Sequence, residues 1–241
     1  MRPNPAKPNS RSEDRIRANV ARVRERIAAA ARRCGRAASE ITLIAVTKYV
    51  GCEEIRAVLA AGCLDLGESR PQALWEKAPR LPGSVQWHLI GHLQRNKVRR
   101  TLPMVTSIDS VDSIRLAGAI DALGTDLPRP APVLLEVNTS GDAAKHGFSA
   151  DALQELLPQL AGYDHLDVRG LMTIAARQGG LPAAKENFSQ LRQLRDRLRA
   201  QCPPGMRLDV LSMGMSHDLE VAIEEGATQV RVGSALFEGV R

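Results

Sequence analysis

ITLIAVTKYV, at positions 41–50, opens with a nearly unbroken apolar run and ends on Thr47, Lys48 and Tyr49. Such a run suits a β-strand covered on both faces, the environment of a parallel sheet, and not the in-out alternation of a half-exposed strand. Downstream, CEEIRAVLAAG (52–62) reads as a helix ended by Gly62, CLDLGES (63–69) as a short strand, and PQALWEKAPRL (71–81) as a helix with proline at its first position. The pattern then repeats. VQWHLIGH (85–92) is followed by LQRNKVRRTL (93–102), MVTSIDS (104–110) by VDSIRLAGAIDALG (111–124), and PVLLEVNTS (132–140) by the loop GDAAKHGF (141–148) and the helix SADALQELLPQLAG (149–162) with Ser149 as N-cap. LDVRGLMTI (166–174) precedes PAAKENFSQLRQLRDRLRAQ (182–201), MRLDVLSMG (206–214) precedes SHDLEVAIEEG (216–226), and TQVRVGSALF (228–237) is the eighth strand. Eight strand-helix alternations in one compositional regime predict a single α/β domain, a closed (β/α)8 TIM barrel over residues 13–241. An open dinucleotide-binding sheet would carry a G-x-G-x-x-G turn after the first strand, and TKYVGCEEI (47–55) has none.

Upstream of the first strand, Ile16, Val20, Val23 and Ile27 recur at spacings of 4, 3 and 4, so this is an extra N-terminal amphipathic helix. Nine arginines lie between positions 11 and 36, which makes its outer face strongly basic; the reading is a solvated face, with nucleic-acid binding as the sharper alternative. Residues 1–12, rich in Pro, Asn and Ser, read as a disordered tail. With 44% hydrophobic but only 3% aromatic residues, the core must be built from Leu, Ile, Val and Ala. No stretch approaches the roughly 18 apolar residues of a membrane span. Cysteines 34, 52, 63 and 202 lack metal or disulfide spacing, so a cytoplasmic location with reduced thiols is expected.

In a barrel of this kind, chemistry sits at the C-terminal ends of the strands, so polar residues interrupting the apolar runs there are the candidates. They are Lys48 after the first strand, Glu68 and Ser69 after the second, His88 and His92 around the third, Asp109 in the fourth and Asn138 after the fifth. Met172 and Thr173 end the sixth, Ser212 to Ser216 follow the seventh, and Arg231, Gly233 and Ser234 mark the eighth. A lysine leaving an apolar strand is expected to be partly desolvated, which favours the neutral amine that condenses with aldehydes; the alternative is a lysine that snorkels to water. Ser212, Gly214 and Ser216 at the start of a helix, with Gly233 and Ser234 beside them, suit a phosphate dianion bound by N–H groups. Arg231, between Val230 and Val232, should point into the barrel, where it either pairs with Glu136 or Asp109 or faces a ligand. His88 and His92 are four apart, but Gly91 and a strand-like context argue against a helical metal pair, so no metal is expected.

The segments VTKY (46–49), GESRPQ (67–72), WHLIGHLQRNK (87–97), VNTSGDAAKHGF (137–148), GLMTI (170–174), LSMGMSHDLEVAI (211–223) and VRVGSALF (230–237) together resemble the pyridoxal phosphate homeostasis protein family, also called YggS/PROSC. The resemblance runs from about residue 12 to the end of the chain. It implies a barrel like the alanine racemase N-terminal domain, with pyridoxal 5'-phosphate (PLP) held as a Schiff base on Lys48. It further implies phosphate contacts from Ser216, Gly233 and Ser234, Arg231 facing the ring nitrogen, and cofactor contacts from Ser69, Asn138, Met172 and Ser212. Two departures stand out: Ser69 replaces the asparagine of the family's G-E-N, and His217 stands where the family tends to carry an acid.

Three functions follow as expectations. The first is a PLP carrier or regulator, a monomer or weak homodimer whose recipients are apo PLP-dependent enzymes. The second is a PLP-dependent racemase, which needs acid-base groups on both faces of the cofactor; the only tyrosines are Tyr49 and Tyr163, and no second domain is read after the eighth strand, so little or no such catalysis is expected. The third is nucleic-acid binding through the basic helix.

Overall fold

Eight parallel strands close on themselves in chain order, β1 (Thr42–Val46), β2 (Asp65–Glu68), β3 (Gln86–Leu89), β4 (Ser107–Val111), β5 (Ala131–Glu136), β6 (Leu166–Met172), β7 (Val210–Ser212) and β8 (Gln229–Val232), and β8 returns to pair with β1. This computed structural model describes residues 10–142, 146–203 and 206–240. The expected (β/α)8 barrel is therefore the observed fold. The ring helices are α1 (Ser10–Arg33), α2 (Cys52–Ala60), α3 (Pro71–Lys77), α4 (Val98–Thr101), α5 (Ile114–Gly124), α6 (Ala150–Ala161), α7 (Gly180–Arg199) and α8 (Leu219–Glu224). Ser113 and Ser149 cap α5 and α6 by accepting the N–H groups of Leu116 and Ala152.

β5 is buried along its whole length, and so is β4, although Ser107, Asp109 and Ser110 lie on it. Ser107 and Asp109, two apart, share one face and are joined by a 2.6 Å hydrogen bond, while Ile108 takes the other. The barrel interior is thus partly polar, and the apolar core lies mainly between strands and helices, where Ile55, Leu74, Leu116, Leu153, Phe188 and Ile223 are all buried.

Three sequence expectations need correction. The single helix expected over 93–102 is instead a 3-10 turn (Arg95–Lys97), one α-helical turn and a second 3-10 turn (Leu102–Met104), because Pro103 cannot donate to an α-helical ladder. The last helix begins at Leu219, not at Ser216. Helix α1 starts at Ser10, so residues 10–12 of the expected tail are helical, and the rest of that tail lies outside the described residues.

The N-terminal helix is not a separate arm. Ile16, Val20, Val23, Ile27, Ala30 and Ala31 are buried against the barrel's outer layer, so α1 takes the place between α8 and α2 that completes the ring. Its arginines are also occupied. Arg26 donates to Glu220 at 2.6 and 2.9 Å and to the Ser216 carbonyl at 3.0 Å, Arg24 caps the carbonyls of Ala61 and Gly62, Arg33 pairs with Glu224, and Arg36 reaches the Ala227 carbonyl. The face is largely exposed, as expected, and several of its arginines also staple the helix to its neighbours.

Close strand approach depends on glycine at Gly170, where a Cβ would sit 1.9 Å from the Val210 carbonyl oxygen. We expect Gly170→Ala to push β6 from β7 and lower stability in urea unfolding by at least ~2 kcal/mol. Gly35→Ala, at a φ of 70° with nothing within 4 Å of the new methyl, should cost only about 1 kcal/mol of backbone strain. Equal losses for the two would show that the strand contact is not under this constraint.

Candidate functional site

The candidates that follow the strands share one end of the barrel, because parallel strands in a closed ring deliver every C-terminus to the same rim, whereas His88 and Asp109 lie within β3 and β4 in the barrel interior. Lys48 stands two residues beyond β1, in the turn Thr47–Lys48–Tyr49, and is exposed, with Nζ 4.9 Å from the centre of the Tyr49 ring. The expected desolvation of this lysine is not found: its strand ends at Val46, and the turn lifts the side chain clear of the apolar wall. What holds the turn is a buried network that sequence reading missed. The Glu68 carboxylate, wholly buried at the end of β2, receives Lys77 Nζ at 2.6 Å, Thr47 Oγ1 at 3.2 Å and the Ser69 N–H at 2.9 Å; Lys77 Nζ also donates to the Thr47 carbonyl at 2.8 Å. One carboxylate therefore ties the residue before Lys48 to Ser69. The signal was present in the spacing, since Lys77 falls three residues after buried Leu74 and six after buried Pro71, on the inward stripe of α3.

On β8, the strand next to β1, Arg231 is buried and its guanidinium donates to Ser212 Oγ and to the Thr173 carbonyl, each at 2.8 Å. The expected direct pair with Glu136 or Asp109 is not formed. Burial lowers the guanidinium's pKa, and the carboxylates of Asp109, Glu136 and Asp218 oppose that. Met172, fully buried, lies in register with Ser212 and with Glu136, and its carbonyl accepts the Val137 N–H. Asn138 spends its side chain on its own loop, donating to the Asp142 carbonyl at 2.8 Å and accepting from Ser140.

Ser216 and the loop after β8 meet directly, for Ser216 Oγ accepts the Ala235 N–H at 3.3 Å. The segment between β7 and α8 is a loop, with Gly214 at a φ of 90°, and the Asp218 carboxylate takes the Met215 N–H. The N–H groups of Ser216, His217, Gly233 and Ser234 enter no hydrogen bond among the described residues. Backbone donors without protein acceptors, beside a buried serine hydroxyl, fit an anion. A Cβ on Gly233 would lie 3.3 Å from that of Val46, two residues before Lys48, so the anion seat adjoins the lysine's strand. The residues thus fit an aldehyde that carries a phosphate: an amine on one side, N–H and hydroxyl donors on the other.

His88 and His92 do not come together. His88 is buried inside the barrel with Nε2 3.2 Å from Asp65 Oδ1 and Nδ1 3.3 Å from Asp109 Oδ2. His92, on the rim, stacks on His146, ring centres 4.3 Å apart, and its Nδ1 is 2.7 Å from Asp112 Oδ2. Glu136 stands near this group, and burial followed by the charge of Asp112 raises its pKa to about 7 against the pull of Arg231 and His92. No helix among the described residues is long and apolar enough to cross a membrane.

Fold and rim together define the class: an eight-stranded parallel α/β barrel with a lysine after its first strand and, among the described residues, unspent N–H donors after its last two. The model of the family described as alanine racemase, N-terminal domain, matches residues 12–240. A pyridoxal phosphate homeostasis protein of Aquifex aeolicus is 39% identical over 219 residues, covering 90% of this chain and 95% of the relative. Among solved structures, PipY of Synechococcus elongatus with PLP bound superposes with a TM-score of 0.82 at 36% identity, covering 92% of this chain and 99% of that one. An alanine racemase of Clostridium difficile superposes with a TM-score of 0.72 at 16% identity over 92% of this chain and 56% of its own, a likeness of fold alone. This chain belongs to the pyridoxal phosphate homeostasis proteins, within the alanine racemase N-terminal-domain family.

The His88 contacts have a measurable consequence. Burial alone would depress its pKa, but Asp109 and Asp65 outweigh it and raise the value from 6.5 to about 9. A histidine held more tightly protonated in the folded state contributes stability that is complete below pH 6.5 and lost as the pH rises through about 9. Urea unfolding across that window should show a fall on the order of 3 kcal/mol, and His88→Gln, less stable at the acid end, should lack it. An undiminished fall in the variant would assign the effect elsewhere.

Proposed function

We propose that this protein binds PLP at the mouth of its barrel, through Lys48 and the seat formed by Ser216, Gly233 and Ser234, and acts in PLP homeostasis as a carrier or regulator of the cofactor. The observation that carries the reading is the junction of Gly233 with Val46, which sets unspent N–H donors beside the strand that presents the lysine. The names of the relatives and the PLP bound to PipY support it. PLP, when bound, supplies an aldehyde for an amine to capture and a pyridine ring that withdraws electrons.

The rest is the work of the chain's own residues. Lys48 Nζ offers the nucleophilic amine, and its exposure lets cofactor arrive and leave, as a carrier requires. Ser216, with the neighbouring amides, neutralises the phosphate. Arg231 is immobilised between Ser212 and Thr173 and does not surrender a proton, so a ring nitrogen facing it stays unprotonated and the ring withdraws electrons weakly. That arrangement favours holding PLP over stabilising a carbanion. Of the two tyrosines, Tyr163 precedes β6 and so lies at the far end of the barrel from Lys48. Its hydroxyl accepts from Gln159, and it is out of reach as a second base. Recipients are apo PLP-dependent enzymes of the cytoplasm.

Purified protein mixed with PLP should develop an absorbance band that Lys48→Ala lacks, and borohydride treatment followed by peptide mass analysis should place the adduct on Lys48. Ser216→Ala should weaken PLP binding by about tenfold or more, the loss expected for a hydrogen bond to a charged group. Racemisation of L-alanine by the loaded protein should stay at trace rates. A Lys48→Ala variant that keeps the covalent adduct defeats the assignment.

A further inference from the structure

His92, Asp112 and His146 come from three consecutive strand-end loops, after β3, β4 and β5, and converge on the rim arc opposite the anion seat. One atom of each lies within 4.8 Å of the others. Both imidazole Nδ1 atoms point at the same oxygen, Asp112 Oδ2, His92 at 2.7 Å and His146 at 3.7 Å. A transition-metal ion held at about 2.0–2.2 Å by nitrogen and oxygen ligands in tetrahedral array requires ligand atoms roughly 3.4 Å apart. The two observed separations bracket that value. Two imidazoles and a carboxylate are borderline donors that suit zinc, cobalt or nickel and not magnesium or calcium.

The surroundings favour occupation. The Asp112 side chain is 7% exposed and anchored, its other oxygen accepting from Ser113 Oγ at 3.1 Å, so the carboxylate is fixed before any ion arrives. His146 is 62% exposed at the side chain and can turn its ring out of the present stack to aim its lone pair. His92 and Asp112 also border a cleft of about 600 Å³ that Arg95 and Arg115 line, leaving room for solvent or an anionic ligand at the remaining coordination positions.

The geometry points to a divalent transition-metal site formed by His92, Asp112 and His146 at the mouth of the barrel, independent of the lysine. Each imidazole binds the ion through a nitrogen lone pair, so a proton carried by a ligating nitrogen passes to solvent when the ion binds.

Isothermal titration of chelator-stripped, tag-free protein with Zn²⁺ and Co²⁺ tests this. Wild type and Lys48→Ala should each bind one ion per chain, while His92→Gln and His146→Gln bind at least ~10-fold more weakly, since losing a ligand costs no less than the 10- to 100-fold typical of an outer-shell change. His146→Gln alters an exposed loop, and an unchanged melting curve certifies its fold. No stoichiometric binding by wild type, wild-type affinity retained in both histidine variants, as binding at cysteine would give, or loss of binding in Lys48→Ala would each overturn the site. Because Lys48→Ala separates the two chemistries, failure here leaves the PLP reading untouched.

Discussion

A guanidinium can sit inside a barrel only if polar partners replace the water it gave up, and Arg231 finds them by reaching over two strands. Ser212 Oγ belongs to β7 and the Thr173 carbonyl follows β6, so one side chain spans the β6–β7–β8 arc. That matters because β7 has three residues and shares a single register pair with β8, Ser212 with Gln229. A slip of one residue would turn Arg231 outward and bring a valine in, leaving the barrel without the contact. The register so fixed is the one from which the Ser216 and Gly233 loops emerge. The anion seat therefore inherits its geometry from a buried charge below it.

The same requirement organises the rest of the interior. Asp109 and Asp65 flank His88, and Glu68 takes Lys77, so buried acids are answered by bases from other elements. Among the described residues Glu136 has no such direct partner, and burial, then the charge of Asp112, raises its pKa to about 7. The two arcs of the rim consequently differ in kind. The β7–β8 arc offers backbone N–H and hydroxyl donors, whereas the β3–β5 arc offers imidazole and carboxylate ligand atoms with Arg95 and Arg115 beside them.

The barrel was legible because parallel strands buried on both faces write themselves as apolar runs, and ITLIAV, PVLLEV and LDVRGLM are hard to read otherwise. The strand-end rule then singled out Lys48, Ser216, Arg231 and Gly233 as candidates, since each follows or interrupts such a run. What escaped was set by tertiary geometry. His92 meets His146 across 54 positions of chain, through loops whose course no local pattern states, while the adjacent His88 faces the opposite way because residues four apart on a strand and its exit share no required direction. Lys48 was expected to be desolvated because the run before it is apolar, but that inference ignored the turn that carries it two residues past the last strand residue. The short helix α8 was placed three residues early because a serine beside a helix reads as a cap, and here the carboxylate of Asp218 takes the Met215 N–H instead.

The arginines of α1 show how the same composition can carry two readings until contacts are known. As a free basic face they would suit a phosphate backbone, with the salt sensitivity such binding entails. In the fold, Arg24, Arg26 and Arg33, with Arg36 just past the helix, instead bind carbonyls and carboxylates of the neighbouring helices and loops. Arg26 is the informative case, since it grips Glu220 and the Ser216 carbonyl together. Fixing that carbonyl fixes the peptide plane that joins Ser216 to His217, and with it the direction of the His217 N–H. A helix that looks like an appendage in the sequence thus reaches through one guanidinium into the orientation of the donors that the phosphate would meet.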